Sequence, residues 1–187
     1  MIIYMNNTYQ EVKLFVDKSF DNSSKHFERT VYWLRQLKPD ADEAMQIAAY
    51  AHDVERAFDR ATIDFWKTHQ LNDPDYLKKH QEEGSKIMTD FLKKNNYPDK
   101  DIKRIAEMIR LHEVGGTKEA DLIKDADSIS YFEVNAPKHI EKFGKPLGKE
   151  KLLTKYNFMY NRITSRKAKE ICKEWYTKLI REAEEKL

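Results

Sequence analysis

At 187 residues the chain lies in the range of one domain and is long enough to bury a sizeable core. Thirty-four basic residues stand against thirty-two acidic ones, a formal charge of +2, too balanced for electrostatics alone to select a nucleic-acid polymer or a membrane as partner. The one cysteine, Cys172, cannot form an internal disulfide, and the apolar start from Met1 to Met5 is too short for a signal sequence or membrane span, so a reducing cytoplasm is the expected setting.

Five glycines and five prolines leave few turn signals, and β-branched runs of strand length are nearly absent, so the expected fold class is all-α. Helices are expected near residues 6 to 21, 24 to 37, 41 to 53, 74 to 94, 99 to 113, 118 to 132, 148 to 162 and 166 to 186. Asp73-Pro74 places a capping carboxylate before a first-turn proline, Asp40 with Glu43 resembles a capping box, and Gly115-Gly116 closes the helix ending at His112-Glu113. No internal repeat or Pro/Gly-rich linker divides the chain, so residues 1 to 187 read as a single domain. The longest irregular stretch, about residues 55 to 73, directly follows the doublet His52-Asp53, where the lid or wall of a site could sit.

That doublet closes the apolar run Ile47 to Ala51. His80 shares a helical stripe with Gly84, Ile87 and Phe91, His112 with Ile102, Ile105 and Ile109, and His26 with Thr30, Trp33 and Leu37. Asp127 follows Ile123 by one turn. A lone histidine on an apolar face is usually a hydrogen-bonded core residue. Here four of the six histidines sit on such stripes, and burying four imidazoles and an aspartate demands compensation that a shared cation would supply. His69 and His139 have no comparable partners and are expected on the surface or in loops, and Cys172, beside Trp175 and Tyr176, is expected to pack.

His26, His52-Asp53 and Asp127 resemble the H…HD…D signature of the HD-domain metal-dependent phosphohydrolases. HQEEG at residues 80 to 84 and His112-Glu113…Gly116 are similar to the two extra histidine segments of HD proteins that hold two metals, including the HD-GYP phosphodiesterases. The resemblance covers about residues 24 to 132 and implies a compact helical bundle with the metal site in its core, the helices of 148 to 186 packed on it. By position, it implies that His26, His52, Asp53 and Asp127 hold one metal while His80 and His112 hold a second, with Asp53 bridging. A carboxylate has two oxygens and can span two cations, which an imidazole cannot. Asp125 is the rival for the last ligand, but the family's Ala-Asp pair aligns with Ala126-Asp127, which leaves Asp125 a supporting role. Glu113 stands where HD-GYP proteins carry another histidine, and their Gly-Tyr-Pro element is absent, so cyclic dinucleotide hydrolysis is not expected. Glu55 reads as a surface charge.

The resemblance implies phosphoester hydrolysis by metal-activated water, on a small phosphorylated metabolite with a nucleotide as leading candidate. Imidazole and carboxylate without thiolate suit manganese, iron, cobalt, nickel or zinc better than calcium or magnesium, and two ions are expected. Beside Asp53, the catalytic candidates are Arg56 and Lys124, cations for the transferring phosphoryl group, with Arg29 a further cation at the rim. The alternatives are an HD-type di-iron oxygenase and a non-enzymatic nucleotide- or metal-binding module. Tyr156, Phe158, Tyr160, Trp175 and Tyr176 could form a homodimer face, although at helical spacing such residues read first as core. Arg162, Arg166, Lys167 and Lys169 could hold a substrate phosphate, while Thr164-Ser165 among them reads as the cap of the last helix.

Overall fold

Short polar side chains set five of the helix starts. Asp42, Thr62, Asp73, Thr117 and Ser165 each accept the backbone N–H three residues ahead, satisfying a donor that the helix itself cannot. The computed structural model describes residues 8–21 and 23–187. Among them the chain forms helices α1 (Thr8–Ser19), α2 (Lys25–Leu37), α3 (Glu43–Ala51), α4 (Ile63–Thr68), α5 (Pro74–Lys94), α6 (Asp99–Leu111), α7 (Lys118–Ser130), α8 (Ala136–Leu147), α9 (Lys149–Asn161) and α10 (Arg166–Lys186), with no strand. The fold class is all-α. None of these helices is long and apolar enough to cross a membrane.

Several boundaries differ from those expected of the sequence, each for a local reason. The cap of α3 is Asp42 and not Asp40, whose carboxylate pairs with Lys38 at 2.8 Å, while Glu43 accepts from the Tyr9 amide at 3.1 Å. His52-Asp53 lies just past α3, at the entry to a 3₁₀ turn over Val54–Ala57, and not within the helix. The stretch expected to be irregular thus holds that turn and the short α4. Residues 133 to 147, expected to be non-helical, continue α7 through a π-helical turn, Tyr131–Asn135, into α8. Pro137 is tolerated because it falls in the first turn of α8, and the turn closes by an Ala136 N–H donating five residues back to Tyr131. Residues 6 and 7 of the first expected helix lie outside the described residues.

Two hydrophobic clusters organise the helices. The first joins α1, α2, α3, α5, α6 and α7 through Val12, Val31, Leu34, Met45, Ile47, Met88, Leu92, Ile105, Ile109 and Ile123. The second gathers α8, α9 and α10 around Phe132, Ile140, Leu152, Tyr156, Met159 and Leu179, with Trp66 of α4 and Ile129 of α7. Trp33 and Leu37 of α2 touch both. Of the helices after residue 148, α10 meets α7, and its Trp175 lies edge-on to Trp33 of α2. Tyr156, Phe158, Tyr160, Trp175 and Tyr176 belong to this second cluster, so their surface is used within the molecule and does not argue for a dimer. Cys172 is fully buried, and burial pushes its thiol up to about 12, which fits packing.

Candidate metal centre

The six residues expected to be ligands converge from five helices: His26 in the first turn of α2, His52 and Asp53 at the end of α3, His80 in α5, His112 at the end of α6 and Asp127 in α7. His26 Nε2 lies 3.1 Å from Asp127 Oδ1, and His52 Nε2 lies 3.3 Å from that same oxygen. His52 Nε2 is 3.8 Å from Asp53 Oδ2, whereas His80 Nε2 and His112 Nε2 are 2.9 and 3.7 Å from Asp53 Oδ1. Two triads with ligand atoms within 4.8 Å of one another result: His26, His52 and Asp53, and Asp53, His80 and His112. Asp53 belongs to both and turns one oxygen towards each side.

The opposite ring nitrogens explain why these imidazoles suit a cation. His52 Nδ1 meets the Ala49 carbonyl at 2.9 Å and His112 Nδ1 the Ile109 carbonyl at 2.8 Å. A carbonyl only accepts, so Nδ1 carries the hydrogen and Nε2 presents a lone pair. His80 Nδ1 meets the Glu55 carboxylate at 2.6 Å. At His26 the Ser130 hydroxyl donates its one hydrogen to the His26 carbonyl at 2.7 Å and must therefore accept from Nδ1 at 2.8 Å. The Nε2 atoms of His52, His80 and His112 are buried without a hydrogen-bond partner, and a buried polar atom left so is costly. A divalent ion bound to these atoms satisfies all three, so the residues present fit a metal.

Two arginines brace the carboxylates. Arg56 Nε contacts Asp53 Oδ1 at 3.0 Å and its Nη2 lies 3.6 Å from Glu113 Oε1. Arg162 donates to the other Glu113 oxygen, to Asp127 Oδ2 and, at 2.9 Å, to the Ser128 hydroxyl. Burial alone would raise these carboxyls, but Arg56 and His52 hold Asp53, and Arg162 and His52 hold Asp127, well below the usual carboxylate range. Glu113, buried but facing Arg162 and Lys155, is brought down to about 2. Burial disfavours a proton on His52, yet the flanking Asp127 and Asp53 hold one there up to about 9. The same negative field that retains this proton favours a cation in its place.

Several other residues singled out in the sequence have partners of their own, and the cap expected at Thr164-Ser165 is Ser165. Lys124 pairs with Asp121 at 2.9 Å beside Gly115, where φ is +77° and a Cβ would collide with both side chains, so its ammonium braces a turn. Arg29 pairs with Glu133 at 2.7 Å and stacks on Tyr32. Asp125 accepts the amides of Thr164 and Ser165 at 2.7 and 2.8 Å, so it fixes the turn into α10. Ser165 caps α10 by accepting the Ala168 amide at 3.2 Å. Of the basic cluster, only Arg162 lies at the centre, while Arg166 pairs with Glu170 and Lys167 donates to the Gln36 carbonyl. Glu55 is buried against His80 and is not a surface charge. His69 is exposed, as expected. His139 instead lies half-buried on α8 with Nδ1 3.1 Å from Tyr131 Oη, and burial, with Lys155 and Lys142 near, pushes it down to about 3.

Fold and site together define an all-helical protein with a buried histidine and carboxylate cluster able to hold a metal ion. Residues 8–182 match the model of a domain of unknown function (DUF4202), and the chain belongs to that family. No curated protein and no solved structure matches it.

Proposed function

We propose that the protein is a metal-dependent phosphohydrolase of the HD type, acting on a phosphoester of a small phosphorylated metabolite, with a nucleotide the leading substrate class. The observation that carries this reading is the convergence of buried Nε2 lone pairs on the two oxygens of Asp53 and on Asp127. His26, His52, Asp53 and Asp127 would hold one ion and His80 and His112 the second, with Asp53 common to both. A pair of divalent ions so held supplies Lewis acidity, lowering the pKa of a water and polarising a phosphoryl oxygen. The chain contributes orientation and charge. Ser130, Glu55 and the carbonyls of Ala49 and Ile109 fix the imidazole tautomers, while Arg56 and Arg162 keep the carboxylates ionised. Arg56, 23% exposed at its side chain, is the guanidinium best placed to meet an incoming phosphoryl group.

A phosphate-release screen across nucleotides and sugar phosphates, run on protein loaded in turn with manganese, iron, cobalt, nickel or zinc, tests the reading. Metal-dependent release that is lost in Asp53→Ala is expected. Absence of release from every ester, with oxygen consumption by the iron-loaded form, would instead select the oxygenase.

A further inference from the structure

The π-helical turn packs against α2, α7 and α8, and α9 lies against α8; neither the turn nor α8 nor α9 supplies a candidate ligand. Tyr131 stands there with its Oη 3.1 Å from His139 Nδ1. Lys155 of α9 places Nζ 5.9 Å from the Tyr131 ring centroid and 5.3 Å from that of Phe158, over which Arg162 also lies. The two arginines are committed to Asp53, Asp127 and Glu113. Lys155 is not: the residue is half-buried, and among the described residues its ammonium has neither a hydrogen bond nor a carboxylate oxygen within 4.0 Å. An ammonium withdrawn from water without a counter-ion is costly to keep.

The charge of the neighbourhood says what would complete it. With His52 neutral, as a metal ligand must be, Asp53, Glu55, Glu113 and Asp127 against Arg56, Arg162 and Lys155 leave a net charge of minus one that a single divalent ion reverses. A loaded centre therefore attracts an anion, and Lys155 is the cation with free donors to receive it. Lys155 and Arg162 lie over the same Phe158 ring, at 5.3 and 5.7 Å, and Arg162 pairs with Glu113 and Asp127, which puts the Lys155 ammonium one side chain from the carboxylates of the centre; burial brings it down to about 8. We infer that Lys155, flanked by Tyr131 and His139, seats the anionic oxygens of the substrate, a phosphate monoester on the functional reading above, on which this inference rests.

The test is calorimetric titration of the metal-loaded protein with inorganic phosphate, alongside elemental analysis and thermal unfolding of each variant. Lys155→Met is expected to weaken phosphate binding about tenfold or more at unchanged metal content, and Lys155→Arg to bind within a few-fold of the parent. Lys155→Gln, which keeps a polar end, serves as the second neutral variant and is expected to follow Lys155→Met. Equal phosphate affinity in the parent and both neutral variants, or no saturable binding by the parent, overturns the assignment. So does loss of metal in the neutral variants, which would make Lys155 a support of the centre. The phosphohydrolase reading fails separately, as phosphate binding without release from any ester.

Discussion

An imidazole coordinates through one nitrogen, and the partner of the other decides which. Ser130 does this for His26 at a distance of 104 residues in sequence, by accepting Nδ1–H while its own hydrogen is held by a carbonyl. Ser130→Ala should lower metal affinity about 10- to 100-fold with little change in stability, read by competition with a chelator. Equal affinity would mean that the hydroxyl plays no part. Asp125 and Asp127 separate by the same logic. Asp125→Ala, which removes the charged acceptor of the Thr164 and Ser165 amides, should cost about 1.5–3 kcal/mol in urea unfolding and keep its metal. Asp127→Ala should lose metal. The reverse pattern would exchange their roles. This distinction was open in the sequence, where the two aspartates stand two residues apart, because only the fold brings Thr164 and Ser165 against one of them.

At the scale of elements, the histidine-bearing stripes of α2, α5 and α6 were legible because a 3.6-residue period places ligand and core on one face. Glu55 was not, since a 3₁₀ turn follows the doublet and turns inward a side chain that helical phase cannot assign. Residues 133 to 147 are helical although no helix is expected there: Pro137 falls in the first turn of α8, where its missing N–H is not needed, and Pro146 in the last. This helix carries His139, expected in a loop or on the surface, to within 3.1 Å of Tyr131 Oη. The short α4 has its own anchor: Lys151 donates to the carbonyls of Trp66, Lys67 and His69, filling acceptors at the helix end. Lys151→Met should lower stability by about 1 kcal/mol and leave metal content intact, by urea unfolding and elemental analysis. An unchanged midpoint would show these bonds to be worth no more than their hydration.

For the whole molecule, the buried carboxylates set the acid limit. Asp53, Asp127 and Glu113 are held below their ordinary range, Glu113 at about 2. A depressed carboxyl contributes stability that is present above its unfolded value, about 4, and is lost as pH falls through its folded value. The thermal midpoint of chelator-treated protein should therefore fall from about pH 5 towards pH 2. Arg162→Met, which removes the shared counter-charge of Glu113 and Asp127, should flatten that fall. A parent midpoint that stays level over this range would contradict the charge arrangement.

A centre built around one shared carboxylate has a defined metal stoichiometry. Protein stripped and reconstituted with manganese or iron, then measured by elemental analysis, should hold two equivalents per chain. His80→Ala should hold one, and His52→Ala or Asp53→Ala essentially none, with helical circular dichroism retained in all. Full metal content in both His52→Ala and Asp53→Ala, or no metal in the parent, would contradict it.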